Sequence, residues 1–270
     1  MSYWDQYPAY VSVAERRQRN QAAVDRLRKT RPDLSPVVIE GRNLARTWWG
    51  KAWNDNLKGY QDFAYRLDRG RSYVRHGAVI DLAVNPGRVH ALVQGSQRKP
   101  YQIEIEISAL SSSTWQGMIQ ACAGQLDSLE MLAAGSFPRG LGERFTARGE
   151  GLFPSPSEIR LQCTCPDWAT CCKHVAAVLY GVGARLDHDP SLFFVLRQVN
   201  VSDLITSAVS EHSQDLLRSA GRVSDRAIDA SEVAGLFGIE LDGEEQPPAK
   251  SPDLAKSPRK SRSSKGRAGR

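Results

Sequence analysis

Apolar positions along this chain change period several times, and each change marks an element. Trp49, Trp53, Leu57 and Tyr60 are spaced four, four and three apart, which predicts one face of a helix, with a short second helix over 61–68. Residues 78–107 switch to strand patterns. Ala78–Val84 and Arg88–Val93 flank Asn85-Pro86-Gly87 and predict a β-hairpin. Tyr101–Ile107 alternates strictly, with Ile103, Ile105 and Ile107 toward a core and Gln102, Glu104 and Glu106 toward water. Helical spacing returns over 111–134, where Trp115, Met118, Ile119, Cys122 and Leu126 share a face. Glu158–Cys163 alternates again. Lys173–Leu186 carries the stripe Val175, Val178, Leu179, Val182 and Leu186. Asp189-Pro190 reads as N-cap and first residue of a further helix through Leu196, with His188 leading into it. Shorter helices are expected over 12–29, 202–219 and 225–237.

Charge divides the chain more sharply than composition does. The 270 residues are 41% hydrophobic and 24% charged, which is ordinary globular usage. The net charge is +6. Residues 1–31 hold seven Lys/Arg against three acids, and 249–270 hold eight against one, so 32–248 is acidic by five charges. The folded middle therefore offers no global footprint for nucleic acid. The Pro-, Ser- and Lys-rich stretch after Glu244 cannot bury enough apolar surface to fold; it suits nonspecific, salt-sensitive contact with a polyanion. The expected organisation is a basic, partly ordered arm (1–40), an α+β domain (41–145), a cysteine-bearing region (146–200), C-terminal helices (201–243) and a disordered tail (244–270). No signal peptide or membrane-length apolar run is evident, which suggests a cytoplasmic protein without a membrane partner.

Four of the five cysteines fall within ten positions, in Cys163-Thr-Cys165-Pro-Asp-Trp-Ala-Thr-Cys171-Cys172-Lys-His174. An odd count so clustered does not suggest a disulfide framework. Cys163 and Cys165 lie two apart on a strand, so both sulfurs point to one side, that of Ile159 and Leu161. Cys172 and His174 open the next helix, whose positive N-terminal end favours a thiolate. Three thiols and an imidazole make a closed tetrahedral zinc set. Either Cys171 or Cys172 can supply the third sulfur on this spacing, but not both, because adjacent side chains diverge.

The pattern Cys163-x-Cys165-x6-Cys172-x-His174 resembles the SWIM zinc finger, C-x-C-xn-C-x-H. Similarity to bacterial SWIM zinc finger proteins extends over roughly 44–200, through Thr47-Trp-Trp-Gly-Lys-Ala-Trp53, Arg69–Gly77, Gly87–Gly95 and Asp187-His-Asp-Pro-Ser-Leu-Phe193. The resemblance implies Cys163, Cys165, Cys172 and His174 as zinc ligands, Cys172 in preference to Cys171. It also implies a zinc-dependent interaction module for DNA or protein, in bacteria a companion of Swi/Snf-class helicases; four protein ligands leave no open position on the metal, so a noncatalytic role is expected. The doubled cysteine departs from the plain form of the motif. The expected fold is α+β, a small antiparallel sheet flanked by helices and joined to a zinc-stapled strand-turn-helix.

Other readings are weaker. A redox pair Cys171-Cys172 would be strained. Iron–sulfur clusters usually take four cysteines in wider loops. Cys122 has core spacing, and His76, His90, His188 and His212 stand alone. The Trp48, Trp49 and Trp53 group could stack on bases but has the spacing of a core face. Arg66, Arg69, Arg71 and Arg75 form a basic run before the hairpin, read first as a solvated face and second as a phosphate contact. Asp225 and Asp229 share a helical face without further catalytic company. No nucleophile elbow or phosphate-binding loop is present, so an enzyme (a nuclease, or a redox protein using the cysteines) is the alternative to an interaction module.

Overall fold

The computed structural model describes residues 11–59, 64–122, 131, 141–147 and 150–220, all within one unit spanning Met1–Ala220. Its elements are α1 (Val13–Arg28), α2 (Trp48–Asn56), α3 (Ala64–Arg75), β1 (Val79–Asn85), β2 (Arg88–Val93), β3 (Tyr101–Ile107), α4 (Ser112–Cys122), α5 (Gly142–Thr146), β4 (Ile159–Cys163), α6 (Lys173–His188), α7 (Leu192–Arg197) and α8 (Val201–Ala220). The α+β reading holds: the four strands form one antiparallel sheet in the order β1-β2-β3-β4.

The hairpin forms where Asn-Pro-Gly places it, with Gly87 at φ +67. A side chain there would be strained and would also meet the Gln198 side chain. Ile103, Ile105 and Ile107 are buried, as the alternation requires. β4 adds to β3 with Cys163 opposite Ile103, Leu161 opposite Ile105 and Ile159 opposite Ile107. The first cysteine is thus locked into sheet register on the core side. The strand's start is held by Arg197, which donates to the Ser108 carbonyl and at 2.5 Å to Glu158.

Helix α6 differs from the amphipathic helix its stripe suggested. Ala176, Ala177, Tyr180, Gly181, Gly183 and Ala184 are buried along with the stripe, because the sheet lies on one side and α2 and α3 on the other. Small residues make that enclosure feasible. Gly70 of α3 sits so close that a Cβ would fall 2.5 Å from the Ala176 Cβ and 2.9 Å from its backbone. The tryptophans of α2 are packing residues: Trp53 is fully buried and donates to the Leu179 carbonyl, and Trp49 donates to that of Leu186. Asp187 accepts from the Arg46 and Thr47 amides, and Thr47 caps α2.

Several boundaries move. The helix expected over 61–68 runs on to Arg75, so the arginine run lies on α3 itself. The helix after Asp189-Pro190 starts at Leu192, with Ser191 at the N-cap and Asp189 accepting from its amide and hydroxyl. His188 therefore ends α6 and does not open α7. Within the N-terminal arm, α1 begins with a capping box between Ser12 and Glu15. It packs Ala23 and Val24 against Ile80, on the sheet face opposite α6. A register irregularity between Val79 and Asp81 lets both faces of β1 be buried. Trp115, Met118, Ile119 and Cys122 are buried on α4. Tyr60, Leu126, Asp225, Asp229, the helix over 225–237 and the tail over 244–270 lie outside the described residues.

Two stability outcomes follow. Gly70→Ala should cost about 2 kcal/mol by overpacking, despite a helix-propensity gain of about 1 kcal/mol; a urea midpoint at or above wild type would refute the close packing. Glu158→Gln should cost about 3 kcal/mol by leaving the Arg197 charge buried and unpaired. Burial raises the Glu158 carboxyl, but the Ser155 amide and Arg197 together bring it below its ordinary value. Its stabilisation is therefore present above the ordinary carboxylate range and lost as pH falls through and below it. Thermal melts across that range should show a smaller acid-induced loss in the variant.

Candidate metal centre

Strand β4 delivers Cys163 and, one turn of loop later, Cys165; the first residues of α6 deliver Cys172 and His174. The Thr164 amide donates to the Gln102 carbonyl and the Gln102 amide to the Thr164 hydroxyl, so β3 holds the backbone between the first two cysteines. Cys172 is the N-cap of α6, the position with most of the helix's positive end.

One donor atom from each of the four residues lies within 4.8 Å of the others. Cys165 Sγ is 3.6 Å from Cys172 Sγ, and His174 Nδ1 is 3.8 Å from Cys172 Sγ and 3.9 Å from Cys163 Sγ. Zinc bonds of about 2.3 Å to sulfur and about 2.0–2.1 Å to nitrogen give tetrahedral edges of roughly 3.5–3.8 Å. These three donor pairs stand close to that spacing and all four donors lie within 4.8 Å of one another, so the set suits zinc with a small contraction. Nδ1 is the histidine nitrogen facing the sulfurs. Nε2 is buried without a hydrogen-bond partner, near Gly95, and the imidazole ring packs on those of Tyr101 and Tyr73, with centroids 4.5 and 5.3 Å away. Aromatic walls orient this imidazole, where many metal-binding histidines use a carboxylate.

Among the protein groups alone, the thiols differ in acidity. Hydrogen bonding from Cys163, then from His174, outweighs burial and draws Cys172 down to about 4. Cys163 is pushed far up, first by its hydrogen bond to Cys172 and then by burial. Cys122, away from the cluster, is raised to about 11 by burial, as an inert core thiol should be.

Cys171 is fully buried and does not join the four. In comparison with known families, residues 150–182, which hold all four clustered donors, match the model of the SWIM zinc finger. Over 165 residues the chain is also 38% identical to Uncharacterized protein Rv2102 of Mycobacterium tuberculosis, an alignment covering 61% of this chain and 59% of the relative. The chain thus spans about three fifths of that curated relative's length. No solved structure matches it.

Sequence reasoning named the four residues that the structure brings together, but not the loop between them. Asp167 pairs with Arg66 of α3 and accepts from the Ala169 amide; the Arg66 hydrogen bond holds its carboxyl below the ordinary range. Arg66 lies beneath Trp168, 5.6 Å from the ring centre, and 5.4 Å from that of Tyr65. Asp-Trp after Cys165-Pro was the available signal, but its partner Arg66 is about a hundred residues away. Among the described residues no helix is long and apolar enough to cross a membrane.

The two adjacent cysteines give a sharp test. Cys172→Ser should lose zinc and unfold the β4–α6 junction, since metal binding and folding are coupled there. Cys171→Ser should keep one zinc per chain. Elemental analysis with thiol titration reads both, and equal retention in the two variants would refute the ligand assignment.

Proposed function

We propose that this chain is a noncatalytic, zinc-stapled interaction protein whose finger loop docks a Swi/Snf-class helicase or DNA in the cytoplasm. The observation that carries the reading is Trp168, 79% exposed on the loop between the two halves of the ligand set. Large aromatics at that exposure are costly on a surface with no partner. Tyr65, 51% exposed, extends the patch, with the buried Arg66 guanidinium beneath both rings. Tryptophan, tyrosine and arginine are the residues most often dominant in protein contacts, and an aromatic ring can equally stack on a base.

The metal set supports a scaffold role. Four protein ligands close the coordination sphere and leave no position for water or substrate. Cys172 belongs to that quartet and Cys171 stays outside it, which argues against their use as a redox pair. Zinc then fixes where the loop leaves β4 and where it rejoins α6, so the loop meets a partner already ordered.

Affinity purification of the full chain from its native cell, with and without chelator, tests the docking, alongside DNA mobility shifts across salt. Trp168→Ala should lower recovery of the helicase, or DNA affinity, by about tenfold, with zinc content unchanged. DNA as the ligand would show a steep salt dependence; a helicase contact would not. Wild-type behaviour of Trp168→Ala toward both would sink the proposal.

A further inference from the structure

The fold brings Arg69 to Arg16 and Arg19, some fifty residues earlier in the chain, around one cavity. It has a volume of about 450 Å³ and lies between α1, α3 and the connection from β2 to β3. Arg16 and Arg19 come from α1, Arg69 from α3; Ser72, Tyr73 and His76 complete the α3 wall. Among the described residues none of the three arginines has an ion-pair partner. Arg66 and Arg71, on the same helix as Arg69, each have a carboxylate. The cavity's own groups register this charge. Burial first, and then Arg17, Arg16 and Arg75, hold His76 below its ordinary range.

Three exposed guanidiniums around one space, none in an ion pair among the described residues, suit a ligand with more negative charge than a single carboxylate carries. Their planar forks match phosphate oxygens, with the Ser72 and Tyr73 hydroxyls as further donors. The volume is in the range of small-molecule sites. A smaller adjoining cavity shares Arg19, Gln94 and Ser96 and adds Arg26 and Arg98, which offers a second phosphate position beside the first.

We propose that the cavity between α1 and α3 binds a phosphate ester of a nucleotide, free or within a nucleic-acid strand, through Arg16, Arg19 and Arg69. The site is distinct from the exposed finger loop, and does not depend on what that loop docks. Tyr73 belongs to both centres, lining the cavity and packing on His174.

Titrating the full zinc-loaded chain tests this with two charged probes, thymidine 5′-monophosphate and a short oligothymidylate. Their uncharged counterparts, thymidine and a methylphosphonate strand, serve as references. At least one charged probe should bind about tenfold or more tightly than its counterpart. The double variant Arg16→Gln/Arg69→Gln should lose about that factor, with zinc content and circular dichroism unchanged. Arg16→Lys/Arg69→Lys should recover part of it. Preference for the strand, or equal affinity for the mononucleotide, supports the site and identifies its source. Charged probes that bind no better than uncharged ones would overturn it. So would an equal loss in Lys51→Gln/Lys58→Gln, which removes two positive charges elsewhere.

Discussion

The enclosure of α6 is the constraint from which the rest of this structure follows. A helix buried on every side must meet neighbours at close range, and this one does so with alanines and glycines where α2, α3 and the sheet approach. Gly70 against Ala176 sets the distance to α3. Indole N–H groups of Trp49 and Trp53 reach carbonyls along α6, and Asp187 fastens its last turn to the start of α2. The N-terminus of α6 is therefore placed by contacts along its whole length before any metal is considered.

That placement makes the zinc finger more than a local module. Two ligands belong to the sheet's fourth strand and the loop just beyond it, and two to the enclosed helix, so the ion joins two parts of a core already in contact. Sheet register fixes Cys163, the helix fixes Cys172 and His174, and aromatic rings fix the imidazole plane. The loop between the halves is the part not absorbed into packing, and it carries the exposed tryptophan.

Charge shows the difference between counting and placing. Counted along the sequence, the basic residues of the N-terminal segment looked like an arm and those of 66–75 like a solvated face, with an acidic middle between the two basic ends. In space, α1 lies against the sheet and its arginines face those of α3. Arg66 turns instead to Asp167 and supports the finger loop. One run of arginines thus has two surroundings: Arg66 is buried against the finger loop, and Arg69 is exposed beside the cavity.

Periodicity was enough to reveal the hairpin, the alternating third strand and the helix face at Trp115–Cys122, because each depends on residues close in sequence. Spacing alone left Cys171 and Cys172 equivalent; the direction of each side chain at the start of α6 separates them. The sequence also could not show that α6 is enclosed on all sides, since alanine and glycine are compatible with exposed and buried faces alike. Nor could it bring Arg16 to Arg69 or Arg66 to Asp167. Local patterns determine which face of an element is apolar and which residues can share an ion. Which faces meet is decided by packing between elements far apart in the chain, where close approach and charge pairing have no sequence period.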